Sequence, residues 1–139
     1  MSSAEQQQQQ QLKKATATKD LSLSLLLQRI IARVPGLRAV LVSDKDGVTV
    51  ERAGDQSVPP SSFVFGVTSE QLAKMPFGKC ESIVATREDG SCLIHVNSNP
   101  LVITFVADPG TNIGVILSLA HDISRALEPI SSAIESVTP

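Results

Sequence analysis

Hydrophobic positions divide the chain into segments with two different periods. Over residues 23–34, leucine, isoleucine and valine recur every three or four residues, which predicts an amphipathic helix. This helix is expected to begin near Asp20 and to stop at Pro35 and Gly36. The next segment, residues 37–42, is almost wholly apolar and predicts a strand. Because this strand is apolar on both faces, we expect it at the centre of a sheet that is covered on both sides.

A tight turn follows the apolar strand. The segment 44–47, Asp-Lys-Asp-Gly, predicts a hairpin with a bulge, since glycine adopts positive φ at no steric cost. In the strand before it, Leu37, Ala39 and Leu41 are expected to share one face. The turn resembles the start of a calcium-binding loop, but Val48 stands where that loop needs an oxygen ligand. The turn is therefore interpreted as architectural.

A second helix is predicted from about Pro60 to Lys74, with proline near its first turn. The first half of this helix is apolar around more than one side: Phe63, Val64, Phe65, Val67. A helix that packs only on its own sheet needs a single apolar stripe. The surplus predicts a second buried contact.

The remaining segments predict three strands and a last helix. The strands are expected at residues 82–87, 91–97 and 101–107, and the third of them is again apolar on both faces. The last helix begins near residues 111–112, and Pro129 is expected to kink it or to begin a second segment.

The resulting order is α-β-β-α-β-β-β-α. Two strands that are apolar on both faces require helices on both sides of the sheet, which predicts a three-layer α/β/α sandwich around a five-stranded, mostly antiparallel sheet. The two terminal helices are expected on one face and the middle helix on the other. Residues 1–20 contain six consecutive glutamines and are predicted to form a disordered tail, which leaves residues 21–139 as the domain.

Charge and hydropathy exclude several classes of function. The formal net charge of the 139 residues is −2, and residues 21–139 carry −3 because residues 1–20 hold three lysines and two acids. Such a domain offers no basic surface for nucleic acid or for an anionic bilayer. No apolar run approaches the roughly 20 residues needed to span a membrane. Any membrane association is therefore expected to depend on a partner.

The residue types of catalytic sites occur without their motifs. The two histidines, His95 and His121, are interpreted as surface or partly hydrogen-bonded residues, because no nucleophile is tied to either by sequence. Cys80 and Cys92 match no metal-binding or redox spacing. We therefore expect neither an enzyme nor a cofactor or metal.

Residues 34–48, Val-Pro-Gly-Leu-Arg-Ala-Val-Leu-Val-Ser-Asp-Lys-Asp-Gly-Val, resemble the roadblock/LC7 family, and within it the Ragulator adaptor subunits. The similarity continues through residues 69–74, 99–102 and 111–118 and covers about residues 23–137. The resemblance implies a profilin-like fold and a non-catalytic scaffold at the cytoplasmic face of late endosomes or lysosomes. Departures from the family include the polyglutamine segment and the position of Pro129.

The resemblance also implies partners and the surface that binds one of them. The partners would be a sister roadblock/LC7 subunit, the lipidated Ragulator anchor subunit, Rag GTPases and a MAP kinase kinase. In this family two subunits pair through their middle helices and join their third strands into one sheet. Carried onto this chain, the pairing residues are Phe63, Val64, Phe65, Val67, Gln71, Lys74, Ser82, Ile83, Val84, Ala85, Thr86 and Arg87.

One alternative within the same fold stays open at this point. A homodimeric, dynein-light-chain-type roadblock adaptor that links cargo to a motor would share every element and differ only in its partner. The sequence alone does not distinguish a self-pairing subunit from one that pairs with a sister subunit.

Overall fold

The computed structural model describes the backbone of residues 3–137, and nearly all of the side chains that it describes lie between residues 22 and 132. Three helices and five strands follow one another in the predicted order α-β-β-α-β-β-β-α. The strands form a single sheet in the order β2-β1-β5-β4-β3, and every neighbouring pair is antiparallel. The predicted fold class is therefore confirmed.

The element bounds lie close to those predicted, except at the start of the first helix. The helices are α1 (Ser3–Arg33), α2 (Ser62–Leu72) and α3 (Ile113–Val137). The strands are β1 (Leu37–Asp44), β2 (Thr49–Gly54), β3 (Ser82–Thr86), β4 (Cys92–Ser98) and β5 (Leu101–Ala107).

The two strands that are apolar on both faces lie at the centre of the sheet. All seven residues of β5 are buried, and β1 beside it is buried from Ala39 to Ser43. On one face their side chains pack in a core cluster with α1 and α3, which contribute Leu27, Ile30, Ile116 and Ile123. The opposite face is covered by the single short helix α2, which buries Phe65. The predicted placement of the three helices is confirmed.

The hairpin between β1 and β2 has the predicted turn. The carboxylate of Asp44 accepts hydrogen bonds from the backbone N–H groups of Asp46 and Val48, both at 2.9 Å. Gly47 has φ +97°, and the β1–β2 register shifts between Val42 and Ser43. The carboxylate oxygen that a cation would need is thus committed to the turn's own backbone. The interpretation of the segment as a turn is confirmed.

The first helix is longer than predicted. It begins at Ser3, whereas the hydrophobic period predicts a start near Asp20, so the predicted start of the helix is wrong. Glutamine, lysine and alanine are good helix formers, and neither glycine nor proline occurs before Pro35, so nothing in the sequence stops the helix from extending. Residues 1 and 2 lie outside the described part of the chain. The division into a tail and a domain at residue 20 remains a prediction.

The first residue of β1 faces the opposite side from the predicted one. The β1–β5 register shifts between Leu37 and Ala39, so Leu37 joins the core under α1 and α3. Ala39 and Leu41 form the smaller cluster on the α2 side. An irregularity that adds one residue to a strand reverses the alternation of its side chains. The prediction that all three share a face is therefore wrong for Leu37.

Pro129 lies inside α3 and does not begin a new segment. Leu127 is fully buried and Ile130 packs against the same core, so tertiary contacts hold the helix on both sides of the proline. Of the two alternatives expected at Pro129, the second segment is wrong, and a kink remains a prediction. At the other end of α3, the side-chain oxygen of Asn112 accepts a hydrogen bond from the N–H of Val115 at 3.2 Å, which caps the helix.

Gly54→Ala should destabilise the protein more than Gly110→Ala does. Both glycines have positive φ, +92° and +83°, and so share the backbone cost of about 1 kcal/mol or more for a residue with a Cβ. At Gly54 the added Cβ would also overlap the carbonyl oxygen of Arg38, whereas at Gly110 it meets no atom within 4 Å. Urea denaturation followed by circular dichroism measures both losses. Equal losses would contradict the described approach of β2 to β1.

Candidate partner-binding site

Helix α2 has two different apolar faces. Its inner face buries Phe65, which is 1% exposed, and Ser62, whose hydroxyl donates a 2.7 Å hydrogen bond to the carbonyl oxygen of Asp44. Its outer face leaves Phe63 and Val67 53% and 60% exposed. The apolar surplus in the sequence is therefore a second stripe that the chain's own sheet does not cover.

The outer stripe follows the helical period. Phe63, Val67 and Gln71 are spaced four residues apart and so lie above one another on one side of α2, with Val64 beside them. The stripe ends just beyond the helix, where the ammonium of Lys74 donates a 3.2 Å hydrogen bond to the side-chain oxygen of Gln71. We call these five residues the α2 outer stripe.

Phe65 does not belong to this stripe, although the sequence places it among the pairing residues. Its ring packs on the inner side, where it meets the imidazole of His95 edge to face with centroids 6.4 Å apart. In this conformation Phe65 is part of the core, and its inclusion in a contact surface is wrong. A surplus of apolar residues in a short helix does not by itself show which residue faces the sheet.

Sequence reasoning missed a continuation of the apolar surface after α2. Met75 and Phe77 are 48% and 80% exposed in the connection that leads from α2 to β3, and Leu72 at the end of α2 is 39% exposed. Two large apolar side chains within three residues of a loop, next to a third at the helix end, would have been the signal, because an ordinary loop carries polar ones. The exposed apolar surface is therefore wider than the predicted helix.

Strand β3 forms one edge of the sheet and pairs only with β4. The carbonyl of Glu81 accepts a 2.8 Å hydrogen bond from the N–H of Asn97, and the N–H of Arg87 donates one of the same length to the carbonyl of Ser91. Because bonded and non-bonded positions alternate in an antiparallel pair, Ile83 and Ala85 also bond to β4. The backbone N–H and C=O groups of the odd-numbered residues of this segment therefore point toward β4.

The even-numbered residues of β3 direct their backbone groups away from the sheet. At Ser82, Val84 and Thr86 the N–H and C=O groups point toward the free edge, since the inward pattern uses the positions between them. Val84 is also 42% exposed. An edge with this pattern is a template for another strand.

The α2 outer stripe and the β3 edge lie on neighbouring parts of the molecule. His95 of β4 connects them, because it contacts Phe65 of α2 and pairs with Ile83 of β3. Ile83 and Ala85 share the face of the sheet that α2 occupies, and α2 leaves Ala85 exposed and Ile83 partly exposed. The structure thus links α2 and β3 through His95, and of the sequence-predicted residues it places Phe65 in the core.

The imidazole of His95 is only 2% exposed, so of the two environments expected for it, surface or partly hydrogen-bonded, the second is the one found. Its Nε2 lies 3.1 Å from the hydroxyl oxygen of Ser61, which is a hydrogen-bonding distance. Burial lowers the pKa of His95, because the charged form loses its hydration. His121, by contrast, is exposed on α3.

A polar groove on the opposite face of the sheet shows no catalytic arrangement. It has a volume of about 460 Å³ and lies between α3 and the end of β4, with His121 and Ser124 in its lining. The hydroxyl of Ser124 is 2.8 Å from that of Ser98, so its hydrogen bond joins a second serine. Within the described residues, no three potential metal ligands come together, and no helix is long and apolar enough to cross a membrane.

Comparison with solved structures shows which fold class this architecture represents. A roadblock/LC7 domain from Streptomyces avermitilis matches with a TM-score of 0.67 at 14% identity, over 77% of this chain and 95% of that one. The gliding protein MglB of Thermus thermophilus matches with a TM-score of 0.66 at 17% identity, over 86% and 93% of the two chains. The fold is therefore the roadblock/LC7 fold, as the sequence resemblance predicts.

Sequence relatives narrow this class to one family. A family described as mitogen-activated protein kinase kinase 1 interacting matches residues 22–134. The Ragulator complex protein LAMTOR3-B of Xenopus laevis is 30% identical over 119 residues, which are 81% of this chain and 96% of that protein. LAMTOR3 of Mus musculus is 29% identical over 119 residues, with 81% and 95% covered. The chain belongs to the LAMTOR3, or MAPKK1-interacting, family, which is a family of non-catalytic adaptors.

Phe65→Ala and Phe63→Ala should separate the two faces of α2 in the isolated chain. Truncating the buried ring of Phe65 should lower the free energy of unfolding by about 3–5 kcal/mol. Truncating the exposed ring of Phe63 should change it by about 0.5 kcal/mol or less. Urea denaturation with circular dichroism detection measures both values. A large loss for Phe63→Ala would place that ring in the core as well.

Proposed function

We propose that this chain is an adaptor subunit of a Ragulator-like complex that pairs with a second roadblock/LC7 subunit through the α2 outer stripe and the β3 edge. The observation that carries the proposal is the exposed pair Phe63 and Val67 beside an edge strand whose outer backbone groups have no strand to bond. Apolar side chains supply the burial that drives association, and the strand edge sets the register and direction of the two chains.

Pairing of this kind would remove two liabilities at once. An exposed apolar patch and an open strand edge both promote uncontrolled association. A second subunit with the same fold would cover the patch with its own middle helix and continue the sheet with its own third strand. Ser82, Val84 and Thr86 would supply the backbone hydrogen bonds between the chains, while Gln71, Lys74 and Arg87 would form a polar rim.

The wider role rests on the family to which the chain belongs. Its relatives are named as proteins of the Ragulator complex, and the family model is described as interacting with mitogen-activated protein kinase kinase 1. We propose that the paired subunits are held by a lipidated anchor subunit at the cytoplasmic face of late endosomes or lysosomes. There the pair would contribute to recruitment of Rag GTPases and scaffold a MAP kinase kinase.

Val67→Asp should abolish pairing with the sister roadblock/LC7 subunit when the two full-length chains are co-expressed and co-purified. A carboxylate buried without a partner in an interface costs about 3–5 kcal/mol, which weakens the complex by roughly 100-fold or more. The matched control is Val115→Asp, which introduces the same charge at a 43% exposed valine of α3. The control variant should pair normally.

Equal recovery of the sister subunit with both variants would remove α2 from the interface. A stable self-dimer of the unmodified chain, measured by sedimentation equilibrium without any sister subunit, would instead favour the homodimeric adaptor. A circular dichroism melt of each isolated variant separates loss of pairing from loss of folding.

Val84→Pro should test the strand edge independently of α2. Proline removes one backbone N–H, and at Val84 that group points away from β4, so the internal pairing of the sheet is retained. We expect the isolated variant to melt within a few degrees of the unmodified chain and its affinity for the sister subunit to fall about tenfold or more. Unchanged affinity in isothermal titration calorimetry would exclude β3 from the shared sheet.

A further inference from the structure

The face of the sheet beneath α2, the helix of the proposed pairing surface, contains a buried histidine. The ring of His95 rises from β4 into the space under the start of α2, where its Nε2 lies 3.1 Å from the hydroxyl oxygen of Ser61. The ring of Phe65 closes the same space from the inner face of α2. His95 therefore contacts the residue before α2 and the largest inner side chain of that helix.

Each element around the ring presents a neutral group to it. Strand β3 places Ile83 opposite His95, and β5 places Thr104 there. Neither β3 nor β5 contains an ionisable side chain, and the acidic residue of α2, Glu70, is exposed. The site under α2 therefore has no carboxylate to compensate a charge on the imidazole.

Two charged residues of the neighbouring β1–β2 turn, Asp44 and Lys45, already have other partners, and the third, Asp46, is exposed. The carboxylate of Asp44 accepts two backbone N–H groups of its own turn. The ammonium of Lys45 donates a 3.1 Å hydrogen bond to the side-chain oxygen of Asn99. The second histidine, His121, is on the opposite layer of the fold, in α3.

We propose that His95 is a pH-sensitive contact that couples its protonation to the docking of α2, and through α2 to the pairing surface. This inference rests on the proposed function, because it assigns regulation to the same helix that carries the α2 outer stripe. The neutral ring permits α2 to lie against the sheet. The imidazolium requires hydration that only a displaced α2 provides, because both of its nitrogens are then hydrogen-bond donors and no acceptor of opposite charge faces it.

The direction of the effect follows from burial. Because burial lowers the pKa of His95 when α2 is docked, the docked state binds the proton less readily than a state with the ring in water. The docked state is fully favoured above the ordinary pKa of 6.5 and loses stability as the pH falls below that value. Acidification should therefore loosen α2 before it affects the two-helix layer on the other face.

The test uses the full-length chain and its two histidines in one NMR experiment. The Hε1 and Cε1 signals of His95 and His121 are followed from about pH 7.5 to pH 5, together with the backbone amides of α2 and α3. We expect His95 to titrate below its ordinary pKa of 6.5. The amide signals of residues 62–72 should shift with the midpoint of His95, while those of α3 should not follow that midpoint.

Two variants make the assignment specific. His95→Gln keeps a polar side chain that can reach Ser61 but does not titrate, so the pH-dependent shift of the α2 amides should be lost. His121→Gln is the matched control and should retain it. Where His95→Gln does not fold, the unmodified chain and His121→Gln still decide the question, because the amides of α2 should follow the midpoint of His95 in both.

The proposal would be overturned if the chemical shifts of the α2 amides stay constant while His95 titrates. It would also be overturned if the pH-dependent shift of these amides persists in His95→Gln. Titration of His95 at or above its ordinary pKa of 6.5 would overturn it as well. The affinity for the sister subunit, measured at about pH 7.5 and pH 5.5, should fall roughly threefold or more in the unmodified chain and stay constant in His95→Gln. Absence of pairing at both pH values would refute the proposed function alone, since the NMR titration of the isolated chain does not depend on it.

Discussion

The rest of the structure depends on the burial of β1 and β5 on both faces of the sheet. Two neighbouring strands that are apolar on both faces need a covering layer on each side of the sheet. In this chain the two covering layers differ in size. The helices α1 and α3 cover one face, while the other face has only the 11 residues of α2. The short helix lies over β1 and β5, so it leaves the α2-side face of β3 partly bare. The proposed pairing surface is thus a consequence of unequal coverage.

The hairpin turn after β1 links this core to the surface. The carbonyl of Asp44 accepts the hydroxyl hydrogen of Ser62, and the backbone of α2 at Gly66 approaches the carbonyl of Lys45 closely. Both contacts hold the first half of α2 against the turn, and Phe63 lies next to Gly47. The Asp-Lys-Asp-Gly segment therefore does more than connect two strands, because it fixes the helix whose outer stripe is exposed.

The sequence predicts every element after α1, because each has a clear hydrophobic period or a strong turn signal. The features that the sequence does not predict have specific physical causes. Hydrophobic periodicity does not predict the start of α1, because the glutamine-rich half of this helix has helix propensity without hydrophobicity. The orientation of Leu37 depends on a register shift that no pattern in one strand reveals. The separation of Phe65 from Phe63 and Val67 depends on how α2 is rotated, which only the packed sheet determines. Met75 and Phe77 lie in a loop, and hydrophobic periodicity does not predict which side chains of a loop are exposed.

The two layers of the core differ in the chemistry that holds them. On the α1 and α3 side the polar group of the sheet, Ser98, is hydrogen-bonded to Ser124, whereas under α2 the sheet presents His95 and the hydroxyl of Thr104, which has no hydrogen-bond partner among the described residues. A buried polar group contributes less to packing than an apolar one of its size, so α2 is the helix that the core holds least firmly. A partner that binds only the docked arrangement of α2 stabilises it by mass action. In the proposed pairing, docking of α2 and binding of the partner are therefore one coupled equilibrium, and a change in the charge of His95 would act on both.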